Sequence, residues 1–136
     1  MKTQNEILTD FYNIIKITPI KDLTGGIYKK TRPTGSKVED CIISLISGTN
    51  AKFLQDAALN VKIFYNDIKS NNSFYENELK GQELETLLNN LSETLLHTNG
   101  YSFLIQTRES YTEKVLEDDI NQHFAILKIN FLLTQN

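Results

Sequence analysis

The stretch from Ile120 to Thr134 alternates so regularly that it leaves few choices of fold. Its odd-numbered positions Ala125, Leu127, Ile129, Phe131 and Leu133 are all apolar, and a period of two places them on one face of a β-strand. A strand with one wholly apolar face belongs to a sheet, and that face must be covered. Were this strand to lie at the edge of the sheet, its length and apolar density would be a liability that a neighbouring subunit could relieve by pairing with it.

The cover is legible in the same chain. Leu84, Leu87, Leu88, Leu91, Leu95 and Leu96 recur at spacings of three and four, which predicts an amphipathic helix over about residues 80–97, ended by Asn99-Gly100. Gly81 argues against extending it to Glu76. Ile7, Leu8, Phe11, Tyr12, Ile14 and Ile15 form a second stripe and predict a helix over roughly residues 4–17. The Thr3 and Glu6 spacing reads as a capping box at its start, and Thr18-Pro19 stops it.

Gly25-Gly26 and a short β piece at Ile27-Tyr28-Lys29 follow the first helix, and Thr31 to Ser36 reads as a turn. Val38 to Ile46 predicts a strand with Cys41, Ile43 and Leu45 on one face and Ile42, Ser44 and Ile46 on the other. Val61 to Asn66 predicts the next strand, which leaves residues 47–60 as a long loop. Asp67 to Ser73 reads as a polar connection, Tyr101 to Thr107 as a strand, and Arg108 to Asp119 as a charged loop. The expected order is α-β-β-β-α-β-β. This is an α+β plan in one domain over residues 1–136, with two helices packed on one face of a mostly antiparallel sheet.

Composition narrows the function classes. A chain of 136 residues with 40% hydrophobic and 23% charged residues can bury a core without staples, and its single cysteine, Cys41, cannot form an internal disulfide. Fourteen Lys and Arg against seventeen Asp and Glu give a net charge of −3, so no global attraction to nucleic acid or an anionic membrane is expected. No stretch approaches a membrane span, and the polar, acidic N-terminus lacks the apolar run of a signal peptide, so a cytosolic location is expected.

Catalytic signals are sparse. His97 sits at the end of the long helix, where the macrodipole favours a cation. His123 stands near Asp118 and Asp119, a grouping that could orient an imidazole or bind a metal, and an enzyme centred there is one reading of the chain. Metal-ligand spacing is otherwise absent, and Gly35-Ser36-Lys37 inverts the order of a phosphate loop. Cys41 lies within a predicted strand, where free cysteines are most often inert. No catalytic, cofactor or metal residue is assigned. Lys29, Lys30, Arg32 and Lys37, followed by Glu39 and Asp40, are the densest charges. They could meet phosphates or an acidic partner, or Arg32 and Lys37 could pair with Glu39 and Asp40 in a solvated loop. A small acidic inhibitor or immunity-like module acting on a basic partner is a further reading.

The string Tyr28-Lys29-x-x-Arg32-Pro33-x-x-Ser36-x-x-Glu39-Asp40 leading into an apolar strand, with Asn60-Val61-x-Ile63 and Asp67 downstream, resembles a group of small phage and prophage proteins. The order of elements resembles the tail-completion and head-tail joining proteins of long-tailed phages, in which an arginine, an aspartate and a histidine precede the last strand, as Arg108, Asp118 and His123 do here. The resemblance implies a non-enzymatic α+β subunit that closes into rings, six subunits being one candidate number, between phage neck and tail. It implies neighbouring neck or tail proteins as partners, assembly in the host cytoplasm, and Tyr28, Lys29, Arg32, Glu39, Asp40, Arg108, Asp118 and His123 as interface candidates. Neither a membrane nor direct nucleic-acid contact is expected.

Overall fold

The computed structural model describes the chain apart from Met1, Thr24, Lys52, Phe53, Asp118 and Asn136, and for residues 47–51 and 54–55 it describes the backbone alone. Helix α1 is Gln4–Ile15. Its cap is the expected one, with Thr3 Oγ1 accepting from the Glu6 amide at 3.2 Å. Thr18-Pro19 then opens a short 3-10 turn, Pro19–Asp22. Strands β1 (Ile27–Lys29), β2 (Cys41–Ala51) and β3 (Leu54–Asn66) follow, then two short strands β4 (Ile68–Ser70) and β5 (Ser73–Tyr75). Helix α2 (Glu78–Leu95) and strands β6 (Tyr101–Lys114) and β7 (Gln122–Gln135) complete the chain. The class is α+β, with two α-helices and a mostly antiparallel five-stranded sheet in the order β1-β2-β3-β7-β6, of which only β1 and β2 run parallel. No described helix is long and apolar enough to cross a membrane.

The register explains the alternation. Residues Ala57, Leu59, Val61 and Ile63 of β3 stand opposite Phe131, Ile129, Leu127 and Ala125 of β7, so the odd faces of both strands form one apolar surface. Cys41, Ile43 and Leu45 extend it through β2. Ile7, Leu8, Phe11 and Ile15 of α1 and Leu84, Leu88, Leu91 and Leu95 of α2 close over it in a single core cluster. Each such side chain contributes roughly 1.5–3 kcal/mol on burial. Among the described residues, the opposite face of the sheet has one apolar cover, where Ile42, Phe64, Phe124 and Ile126 meet Val115 and Ile120 from the β6–β7 connection.

The final strand does not lie at an edge, since β7 runs between β3 and β6; periodicity reports which face is buried and is silent on hydrogen-bonding neighbours. Four expectations need correction. Residues 47–60 are no loop, since β2 runs to Ala51 and β3 begins at Leu54; polar positions such as Asn60 fall on the open face and hide the strand. Conversely, 38–40 precede the strand, and Val38 is 46% exposed. The polar connection after Asn66 is a hairpin, β4 paired with β5, turned by Asn71 and Asn72 at φ 51° and 64°, the left-handed geometry of a tight two-residue turn. Finally, residues 108–114 belong to β6. A register shift between Ile105 and Thr107 moves even-numbered residues onto the helix face beyond it. The parity of the helix-facing positions is therefore reversed beyond the shift.

Helix α2 starts earlier than the leucine stripe indicates and contains Gly81, which is buried. A Cβ there would lie 2.7 Å from the hydroxyl of Tyr65 and 3.3 Å from Thr112 Cγ2. Tyr65 is fully buried and donates to Glu76 Oε1 at 2.8 Å, so it cannot swing aside. Gly81 is therefore required by close approach and outweighs its propensity cost. Gly81→Ala should destabilise the fold by about 1–3 kcal/mol where helix propensity alone predicts a gain near ~1 kcal/mol. Combining it with Tyr65→Phe should cost less than the sum of the single losses. Urea denaturation measures both, and a stabilised Gly81→Ala protein would contradict the account.

Candidate functional site

Arg32 leaves the turn between β1 and β2 and runs inward across the open face of the sheet. Its guanidinium carbon lies 3.8 Å from the ring centre of Phe64, a contact worth roughly 0.5–2 kcal/mol. Its Nε donates to Asp40 Oδ2 at 2.8 Å, and its Nη2 to the Val38 carbonyl at 2.9 Å and to Gln122 Oε1 at 2.7 Å. Ser36 Oγ donates to the same Asp40 oxygen. Asp40 is completely buried. Gln122, equally buried, uses its amide nitrogen on the Lys37 carbonyl at 3.0 Å and on Asn66 Oδ1 at 2.7 Å. Residues of β3, β7 and the 32–40 turn are thus tied by one polar network. Gly25 belongs to the same packing, since a Cβ there would fall 2.4 Å from Asp40 Oδ1.

The densest charges therefore do not act as one patch. Arg32 turns in to Asp40, whereas Lys29 reaches α1, donating to Thr9 Oγ1 at 2.8 Å and lying over the Tyr12 ring. Glu39 is 3.8 Å from Lys80 of α2. Lys30 and Lys37 are exposed and Tyr28 is partly so. The expected pairing of Arg32 with Asp40 is present; Lys37 has no such contact to Glu39 or Asp40 among the described pairs.

His123 has a different partner from the expected one. Its Nδ1 donates to Asp67 Oδ1 at 2.6 Å, and Lys114 approaches the other carboxylate oxygen at 3.9 Å. The Asp67 side chain is 1% exposed, which makes this pair structural in the first instance. Asp118 lies outside the described residues. Asp119 is exposed and lines a cleft of about 340 Å3 with Asn66, Asp67, Phe74 and Gln122. Arg108 is not part of this group: it stands opposite Ile129 in the register, far along β7 from His123, and ion-pairs with Glu93 of α2 at 2.6 Å. His97 Nδ1 donates to the Glu93 carbonyl at 2.6 Å, the helix-end role its position suggests. Among the described residues, no three His, Cys, Asp and Glu side chains gather as metal ligands would.

Gln122 and Asn66 went unnoticed in the sequence although they stand at the centre of the network. A usable signal existed for Gln122. It occupies a polar position between Ile120 and Phe124, which flank it on the apolar side of the strand.

The chain matches no model of a known protein family, and no characterised protein matches it.

Removing one partner from a buried ion pair leaves an uncompensated charge. Arg32→Met should therefore cost about 3–5 kcal/mol of stability. Adding Asp40→Asn should return part of that loss in a double-variant cycle, whereas strictly additive losses would mean that the pair does not act as a unit. Burial, then the neighbouring Asp40 carboxylate, pushes the Cys41 thiol up to about 12. Because the thiolate is the nucleophile, native protein at pH 8 should resist alkylation that urea-unfolded protein undergoes fully. Equal labelling rates would refute this.

Proposed function

We propose that the chain is a non-enzymatic structural subunit of a phage or prophage particle, similar to tail-completion and head-tail joining proteins, that assembles through its sheet into a ring between neck and tail. It requires no cofactor and meets copies of itself and neighbouring neck or tail proteins, first in the host cytoplasm and then in the particle. The observation that carries this reading is the state of one end of the sheet. Among the described residues, β7 is the strand paired with β6, and the first half of β6 presents Leu104 and Ile105 at 63% and 42% exposure, with Ile46 of β2 at 63%. Single exposed apolar residues are ordinary, but several at the open end of one sheet favour an interface.

A second line of support comes from the motif. Its residues Arg32, Ser36 and Asp40 hold the turn onto the sheet, so a resemblance carried by them follows architecture and not a reaction. In this reading the interface candidates divide. Tyr28 and the exposed lysines remain available to partners, while Arg32, Asp40 and His123 shape the surface from within.

Native mass spectrometry and sedimentation velocity should show mass rising with concentration toward one discrete multiple of the subunit. A strict monomer at the highest attainable concentration, with no ring in electron micrographs, would remove the proposal.

A further inference from the structure

The hairpin β4–β5 forms a sheet of its own and meets the body at the cleft that Phe74 lines with Asn66, Asp119 and Gln122. Two-stranded hairpins are marginal in water, yet this one exposes Ile68, Phe74 and Tyr75 at 51%, 45% and 58%. Its root is fixed. The Asp67 amide donates to the Asn121 carbonyl at 3.0 Å, and the Asp67 carboxylate holds His123. The hairpin is an apolar projection on a rigid base.

The complementary feature lies at the other end of β3. Roughly 27 Å of strand separates Ala58 from Asn66 at ~3.4 Å per residue. There a shallow groove of about 300 Å3 is lined by Ile46, Asp56, Ala57, Ala58, Gln106 and Asn130. Its only charged lining residue among those described is Asp56, and the only charge within Ile68–Tyr75 is Lys69. The groove offers Ile46 and Ala58 among polar neighbours, the projection and the groove are opposite in charge, and the distance between them prevents one subunit from satisfying both.

We propose that the β4–β5 hairpin of one copy docks in the groove of a second copy, with Lys69 facing Asp56 and the hairpin's apolar side chains covering Ile46 and Ala58. The inference rests on the ring reading above and specifies its contact. Because two different patches meet, the contact runs head to tail, closing into a ring when the rotation per subunit allows it. The single ion pair sets the register more than the affinity.

The test uses Tyr75→Asp to spoil the hairpin and Ala58→Glu to spoil the groove, both at solvent-accessible positions, with folding checked by urea denaturation. Each variant alone should self-associate at least roughly tenfold more weakly than the parent, as loss of a central apolar contact does. Mixed, they should form a one-to-one heterodimer and nothing larger, since one competent hairpin and one competent groove remain. Lys69→Glu and Asp56→Lys should each weaken assembly, and the chain carrying both should recover it. Parent-like assembly by both spoiled variants, or a mixture that gives no heterodimer, would overturn the contact while leaving the ring reading in place. A parent that never associates would overturn both.

Discussion

A carboxylate that is wholly buried where β2 begins cannot remain charged without a partner, and most of the polar architecture at that end of the sheet follows from this requirement. Arg32 supplies the partner, and to reach Asp40 it must cross Phe64, which fixes the path of the turn that carries it. The turn's carbonyl at Lys37 then lies within reach of Gln122, and Gln122 in turn engages Asn66. One charge thereby couples three separated segments. Ion pairs of this kind are weak contributors to net stability compared with a well-packed apolar replacement. What this one supplies is a defined position for a segment that has no regular secondary structure of its own.

The elements that could be read from sequence are those in which one physical rule operates alone. The stripes of α1 and α2 and the odd face of β7 follow from covering one side of a sheet, and each is found where its period places it. Reading failed where two rules overlap. The strands β2 and β3 carry polar residues such as Ser44 and Asn60 on the open face, which interrupts the apolar run. Strand β6 has one neighbour among the described strands and changes parity partway, so its charges resemble those of a loop. Strand neighbours were not legible at all, since hydrogen bonding between strands involves the backbone and leaves no direct mark on side-chain type.

The same distinction applies to the candidate site. That Arg32 and Asp40 would pair was one of two readings that the local charge pattern allowed, and sequence proximity made it accessible. The pairing of His123 joins a residue of β7 to Asp67, which lies between β3 and β4, 56 positions away in the chain. It depends on the register in which Tyr65 faces His123, and nothing near His123 in the chain announces it. Asp118 and Asp119, close in sequence, are the pair that local spacing suggests; Asp118 lies outside the described residues. Gly81 and Tyr65 form another such pair, in which a glycine that weakens a helix locally is retained because a distant hydroxyl occupies the space of its side chain.

The register shift between Ile105 and Thr107 divides β6 into two lengths that answer to different helices. Before it, the rings of Tyr101 and Phe103 pack at a tilt against Phe11 of α1. Beyond it, Arg108 and Ser110 reach Glu93 and Asn89 of α2. An incoming strand would therefore meet two short templates whose side-chain phases disagree, and a register that suits one is wrong for the other. Irregularity of this kind frustrates open-ended stacking of sheets. The chain can thus carry apolar residues on a strand that has one described neighbour without offering a single continuous template for pairing at that edge.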